Sequence, residues 1–372
     1  MKILYFTHSL LSCWNHGNAH FQRGLLRELK ALGHQASAME PVNSWSLSNL
    51  MADHGEAGLS AFRNAYPELS TSSYDPARFD AEQVVEDADL VIVHEWTDPA
   101  IVAALGALRK RRGAMTLLFH DTHHRMVSDP EAMSRFDLSG YDGILAFGAT
   151  LAEIYRKSGW DGRTFVWHEA ADLHLFRPPE EETERHGVVW IGNWGDDERS
   201  AELRNYLLVP CQSTGLDLDI RGVRYPAHAL MALRLAGARY HGWIANAMAP
   251  AIFARGLATV HVPRRFYVQS LPGIPTIRVF EALACGIPLV CAPWDDCEGL
   301  FRPGEDYLVA QNPGQMRRWL AALRDDPAMR AELSAKGLEQ VRNRHGCSHR
   351  AAELMDIHAQ LTRQTASREE AA

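Results

Sequence analysis

Gly273-Ile274-Pro275-Thr276-Ile277-Arg278-Val279-Phe280-Glu281-Ala282-Leu283-Ala284-Cys285-Gly286-Ile287-Pro288-Leu289-Val290-Cys291 is the stretch on which the reading of this chain turns. Pro275 stands where a helix begins, and Gly286 followed by Pro288 stops it. The apolar run 288–291 then reads as a short buried strand. Ile277, Val279, Phe280, Leu283 and Ala284 cover most of the helix circumference, so the helix is expected to be buried. From Phe266 through Trp294 only Arg278 and Glu281 carry charge. Their spacing puts them on one face, beside Thr276 at the helix start.

A charged pair in buried surroundings costs stability unless something answers it. One answer is an internal ion pair between Arg278 and Glu281. The other is a nucleotide-sugar site. A helix N-terminus carrying Thr276 and Arg278 suits a diphosphate, because free N–H groups, the macrodipole and a guanidinium fork all favour anions. Glu281, one turn further in, can accept two hydrogen bonds from the cis-diol of a ribose.

The pattern P-T-x-R-x-F-E-A-x-A-C-G-x-P formed by these residues resembles the donor-site helix of GT-B glycosyltransferases, in particular the CgeB-like branch related to glycosyltransferase family 4. The resemblance implies an α/β fold of two Rossmann-like domains facing across a cleft. In family 4 two glutamates are separated by seven intervening residues, the second on the ribose and the first near the donor sugar. Glu281 matches the second. The first falls at Gly273, so sugar contacts there have to come from the backbone or from elsewhere in the chain.

The composition is that of a soluble globular protein, with 46% apolar and 23% charged residues. At 372 residues two domains are expected, each large enough for its own core. A net charge of −8 argues against a general polyanion binder, and no nucleic-acid partner is expected. No apolar run is long enough to span a membrane, and the apolar residues 3–6 are too few for a signal peptide, so a cytoplasmic location is expected. Cys13, Cys211, Cys285, Cys291, Cys297 and Cys347 show no C-x-x-C spacing and read as reduced thiols.

Residues 2–7 read as a buried strand, followed by a loop at 8–17 and a helix at 18–32 closed by Gly33. This is the start of a Rossmann-like unit. The absence of G-x-G-x-x-G removes the main support for a dehydrogenase. By resemblance Gly17 and Asn18 match the glycine-bearing turn at the cleft; a simple tight turn at Gly17 is the equal alternative. Residues 41–80 show no clean period and read as an insertion with a short helix at 56–66. Strands are expected at 88–94, 114–120, 141–147 and 164–168, with helices at 98–112 and 149–157.

Such alternation implies a parallel sheet, whose ligands bind beyond the carboxyl ends of the strands. His94 and His120 both fall there. His120-Asp121 resembles a His-Asp pair that in family 4 lies near the donor sugar and acceptor hydroxyl. The implied roles are catalytic: Asp121 orients the imidazole and His120 hydrogen-bonds the reacting hydroxyl or sugar. His120, Asp121, His123 and His124 as a metal set lack H-E-x-x-H spacing, and the resemblance implies neither metal nor cofactor. At least one of His123 and His124 is expected to be a solvated loop residue. His168 to Asp172, with Phe176 and Pro178, resembles the segment linking the halves of GT-B chains, and residues 178–182 form a polar linker.

In the second half, residues 187–191 read as a strand and Gly192-Asn193-Trp194-Gly195 as the turn before a helix starting at Asp197. The resemblance matches Arg199, in the first turn, to the arginine that reaches the donor phosphates, with Asn193 beside it. The alternative is a surface salt bridge to Glu198 or Glu202. Strands at 216–221 and 239–241 precede Gly242-Trp243-Ile244, a turn that in family 4 presents backbone groups to the nucleobase and where Trp243 can pack on it. A strand at 259–262 leads to Arg264 and Arg265, which either extend the phosphate site or sit on its rim. Helices follow from Pro313, Asp326 and Cys347.

The expected domains are 1–173, binding the acceptor, and 174–346, binding the donor nucleotide. Residues 347–372 form a helix returning to the first domain, with a disordered tail from Gln364. The expected activity is a metal-independent, hexosyltransferase-type transfer from a nucleotide-diphosphate sugar to a hydroxyl-bearing acceptor (a saccharide, lipid-linked or small molecule), with retention. The alternative is an inactive nucleotide-sugar-binding protein of the same fold.

Overall fold

The computed structural model describes residues 1–113, 115–160, 162–181 and 183–370. Ala114, expected to open a strand, Glu182 in the expected linker and Ala371 and Ala372 in the expected tail lie outside these. The chain forms two compact units: Met1–Glu169 together with the chain from Cys347 onward, and Ala170–Gly346. The first division thus falls after Glu169 and not at 173/174. Ala171 bridges Gly346 and its N–H donates to His345 O at 2.9 Å, which holds the start of this segment within the second unit.

The first unit is built on β1 (Lys2–Phe6), β2 (Gln35–Pro41), β3 (Thr71–Tyr74), β4 (Leu90–His94), β5 (Thr116–Asp121), β6 (Gly143–Ala146) and β7 (Thr164–Val166). All pair in parallel, in the order β3-β2-β1-β4-β5-β6-β7. Every residue of β4 and β5 is buried, which is why both read as continuous apolar runs. Residues 41–80 are not an insertion. After β2 the helix Trp45–Ala65, broken at Gly55, leads into β3, which completes the sheet edge. The period was illegible because β3 is Thr-Ser-Ser-Tyr with two exposed serines, and because the helix breaks in its middle.

The second unit is built on β8 (His186–Ile191), β9 (Leu218–Arg221), β10 (Arg239–Tyr240), β11 (Gly256–His261), β12 (Leu289–Cys291) and β13 (Leu308–Val309). These also pair in parallel, ordered β10-β9-β8-β11-β12-β13. The helix Ile277–Ala284 joins β11 to β12, and all its residues except Arg278 are buried. Strand order reverses between β1 and β4 in the first unit and between β8 and β11 in the second. Parallel sheets leave a crevice at such points, beyond the carboxyl ends of the strands, and this fixes where each unit can hold a ligand.

The helix Cys347–Glu370 belongs to the first unit, where Trp167 Nε1 donates to Arg350 O at 3.1 Å. It continues through the expected disordered tail as far as Glu370, in keeping with the helix-favouring Gln364, Ala366, Arg368 and Glu369. Among the described residues no helix is long and apolar enough to cross a membrane, and all six cysteines are thiols. Trp167 is fully buried and packs edge-on against Phe21 and His120, with ring centroids 5.2 and 4.8 Å away. Trp167→Ala is expected to destabilise the first unit by about 3–5 kcal/mol, the usual range for emptying a large aromatic site, as measured by urea unfolding.

Candidate functional site

At the switch point of the second unit, the loop after β8 carries Asn193, Gly195 and Arg199. Arg199 stands immediately before the helical turn Ser200–Leu203 and is 8% exposed. Its Nη1 donates to Val262 O, just past β11, and its Nη2 to Asn193 O at 2.9 Å. Its charge also lies 5.5 Å from the Trp190 ring centroid. Gly195 makes room for this side chain: its φ is 88°, and a Cβ there would lie 2.9 Å from Arg199 Nε.

Among the described residues no carboxylate bonds Arg199. The surface salt bridge to Glu198 or Glu202 does not form, because Glu198 is held by Arg264 at 3.1 Å and Glu202 by Arg265 at 2.8 Å. Arg264 and Arg265 are therefore neutralised. Burial, reinforced by Arg264, pulls the Arg199 guanidinium down to about 10, so it remains a cation at neutral pH.

Next to Val262 stands His261, the last residue of β11, which the sequence reading passed over although it ends a buried strand at a carboxyl edge. Its Nδ1 meets Cys291 Sγ at 3.1 Å and its Nε2 meets Thr276 Oγ1 at 3.1 Å. Burial pushes its pKa down to about 3, and the charges of Arg199 and Arg278 push the same way. His261 thus lies in the field of both arginines, at the N-terminus of the helix Ile277–Ala284. Arg199, His261, Thr276 and Arg278 are brought together from three chain segments.

Within the helix, Arg278 Nη1 binds Glu281 Oε2. Glu281 is fully buried and Arg278 about one-fifth exposed. Of the two readings of this pair, the internal ion pair is the one formed in the structure. At Gly273, φ is 84° and a Cβ would lie 2.6 Å from Cys297 Sγ and 3.0 Å from Glu298 Cγ. No side chain fits there, so the missing glutamate is a property of this turn. Trp243 and Ile244 are half-buried, in a turn whose Gly242 O accepts from Gly222 N at 2.8 Å, beyond the end of β9.

The first unit has a different character at its switch point. His120 is fully buried at the end of β5, and its Nδ1 lies 2.5 Å from Tyr5 Oη. Asp121 does not orient it. Successive residues of a strand point to opposite faces, and Asp121 instead accepts from Tyr155 Oη at 2.7 Å and from His123 N at 3.0 Å. Burial raises Asp121 to about 6. Burial also raises Glu95 well above the usual carboxylate range, although Arg125 binds it at 3.0 Å.

Asn18 Nδ2 donates to Thr122 Oγ1, which also meets His94 Nε2 at 2.9 Å, so the first loop is tied to the ends of β4 and β5. Gly17 lies in the turn that opens the helix Ala19–Ala31, its carbonyl accepting from His20 N at 3.3 Å, while the positive φ of the loop belongs to Asn15 (49°). His8, His16, His94 and His120 form a chain of rings with centroids 5.5, 6.4 and 5.7 Å apart. His124 is buried and bonded to Ser128 at 2.7 Å, while His123 is half-buried against it, so neither is a solvated loop residue. Among the described residues no group of three His, Cys, Asp or Glu is arranged to hold a metal ion.

A family model described as glycosyl transferase-like matches residues 199–356. No curated protein matches the chain by sequence. Solved structures do resemble it. An alpha-glucosyltransferase in complex with UDP and a 13-mer DNA is 12% identical, with a TM-score of 0.68 over 96% of this chain and 99% of that one. T4 phage BGT in complex with its UDP-glucose substrate is 13% identical, with a TM-score of 0.59 over 97% and 99%. Sucrose-phosphate synthase from Thermosynechococcus elongatus is 14% identical, with a TM-score of 0.64 over 98% and 100%. At these identities the likeness speaks for the fold, which is that of the GT-B glycosyltransferases.

The histidine chain makes a prediction about pH. Burial lowers His8 to about 4, His120 to about 3 and His16 and His94 well below their ordinary value. Each folded pKa lies below the unfolded one, so the unfolded chain takes up protons first as pH falls. Stability is then lost from about pH 6.5 downward, by about 1.4 kcal/mol per pH unit for each histidine. Glu40, Glu95 and Asp121, all raised, work the other way but are outnumbered once His261 is included. Thermal melts are expected to fall between pH 7 and pH 5, and His94→Gln is expected to flatten that slope by one histidine's share (~1.4 kcal/mol per pH unit).

Proposed function

We propose that this chain transfers a sugar from a nucleoside-diphosphate sugar to a hydroxyl-bearing acceptor. The observation that carries this reading is the buried Arg199, whose hydrogen-bond partners among the described residues are carbonyl oxygens and which shares a switch point with His261, Thr276 and Arg278. A buried cation without a carboxylate is costly unless an anion answers it. A diphosphate placed there meets Arg199, the N–H groups at the head of the helix Ile277–Ala284 and the partly exposed Arg278. These groups stabilise the charge that grows on the leaving diphosphate as the glycosidic bond breaks, the main electrostatic demand of such a transfer. They supply that stabilisation without a metal ion.

In this reading Glu281 serves the ribose diol once Arg278 turns from it to the phosphates, and Trp243-Ile244 face the base. His120 and Asn18 supply polar groups for the acceptor or the transferred hexose, of which the acceptor is a saccharide, a lipid-linked or a small molecule. Retention of configuration follows the family resemblance, without a side chain at Gly273. The branch proposed is the CgeB-like one related to family 4, working in the cytoplasm.

Calorimetric titration with a panel of nucleotides and nucleotide sugars tests the donor site, with UDP first because it is the nucleotide held by the solved neighbours. One nucleoside diphosphate is expected to bind, and Arg199→Met, which keeps the volume and removes the charge, is expected to weaken it by about 10- to 100-fold. No binding across the panel by the folded wild-type chain would remove the donor site.

A further inference from the structure

The Tyr5–His120 contact carries more information than its length. Both side chains are fully buried, the Tyr5 hydroxyl on β1 and the imidazole at the end of β5, and besides this 2.5 Å contact the hydroxyl oxygen has the Gln22 side-chain amide beside it as a donor. His120 Nε2 makes none and is shielded from water. The ring is held in place by Trp167, His94, Phe21 and Tyr5 itself, with centroids 4.8, 5.7, 5.9 and 6.0 Å away.

Two proton arrangements fit this contact. In the first, the phenol donates to Nδ1, and Nε2 carries the imidazole proton. In the second, Nδ1 carries the proton and donates to the phenol oxygen. Thr7 donates to Gln22 Oε1, so Gln22 turns its amide N–H to the Tyr5 oxygen, and the second arrangement leaves the phenolic O–H without an acceptor among the described residues and the Nε2 lone pair without a donor. The first leaves only Nε2–H. It also pairs the more acidic donor with the more basic acceptor, which is the stronger bond at this distance. Burial holds Tyr5 protonated and His120 neutral, so no other charge state competes near neutral pH.

We propose that Tyr5 is a positioning residue that donates its phenolic proton to His120 Nδ1 and so fixes His120 as the Nε2–H tautomer, a hydrogen-bond donor and not a base. The role of His120 toward a sugar rests on the proposed function; the tautomer does not. It also narrows that function: His120 Nε2 cannot take the proton of the attacking hydroxyl, so that proton leaves by another route, to the departing diphosphate or to solvent.

The test is nitrogen-15 NMR of the full chain labelled at histidine, correlating ring nitrogens with ring carbon-bound protons without any ligand. The His120 signals are assigned by their loss in His120→Gln. The expected wild-type pattern is a bare Nδ1 and a protonated Nε2, as a single tautomer near neutral pH. Tyr5→Phe is expected to shift the ring toward the Nδ1–H form or a mixture, and to lower turnover roughly 10-fold with the donor KM unchanged. A proton on Nδ1 in the wild-type spectrum overturns the proposal, as does a Tyr5→Phe spectrum with the wild-type pattern. If Tyr5→Phe does not fold, the wild-type spectrum alone still decides. Because the tautomer is read without substrate, absence of glycosyl transfer sinks the functional reading and leaves this one standing.

Discussion

Arg199 carries a full charge into the interior of the second unit, where its hydrogen-bond partners among the described residues are two carbonyl oxygens. That constraint organises what surrounds it. The two carbonyls come from Asn193, after β8, and Val262, after β11, so the guanidinium joins the strands on either side of the switch point. Gly195 leaves room for it, and the neighbouring carboxylates of Glu198 and Glu202 are drawn off by Arg264 and Arg265. His261, packed in the field of Arg199 and Arg278, stays neutral and offers its Nε2 to Thr276. The result is a positive, water-poor corner at a helix N-terminus, the kind of place where an anion gains most.

The first unit solves a different problem at its own switch point. Its buried polar groups include the imidazoles of His16, His94 and His120, which burial keeps neutral, beside the carboxylates of Asp121 and Glu95. The pleat of β5 divides the site in two: His120 joins Tyr5 and Trp167 on one face, while Asp121 joins Tyr155 on the other. Arg125 serves Glu95 and lies 4.8 Å from the Trp96 ring centroid.

What the sequence by itself determined is the part set by local rules. The alternation of buried strands and helices prescribes two parallel sheets, because continuous apolar runs of strand length tolerate burial on both faces. The Pro275 and Gly286 stops bound the helix Ile277–Ala284, and the lone pair Arg278 and Glu281 marks it as the place where charge meets core. Position 199 stood out as a cation at a helix start. The edge strand β3 and the broken helix before it stayed illegible, since Thr-Ser-Ser-Tyr, with two exposed serines and only Tyr74 buried, carries no apolar alternation.

Only the tertiary structure decided which charges answer which. It made Arg278 and Glu281 partners of each other and stripped Arg199 of the carboxylates beside it in sequence. It also brought His261 between two arginines that lie 79 residues apart in the chain (278 − 199). His120 passed from Asp121, its neighbour in sequence, to Tyr5, 115 residues away. The physical reason is common to all of these. Side-chain partners are set by pleat direction, strand order and burial, and a parallel sheet brings the ends of distant strands together while sending adjacent residues to opposite faces.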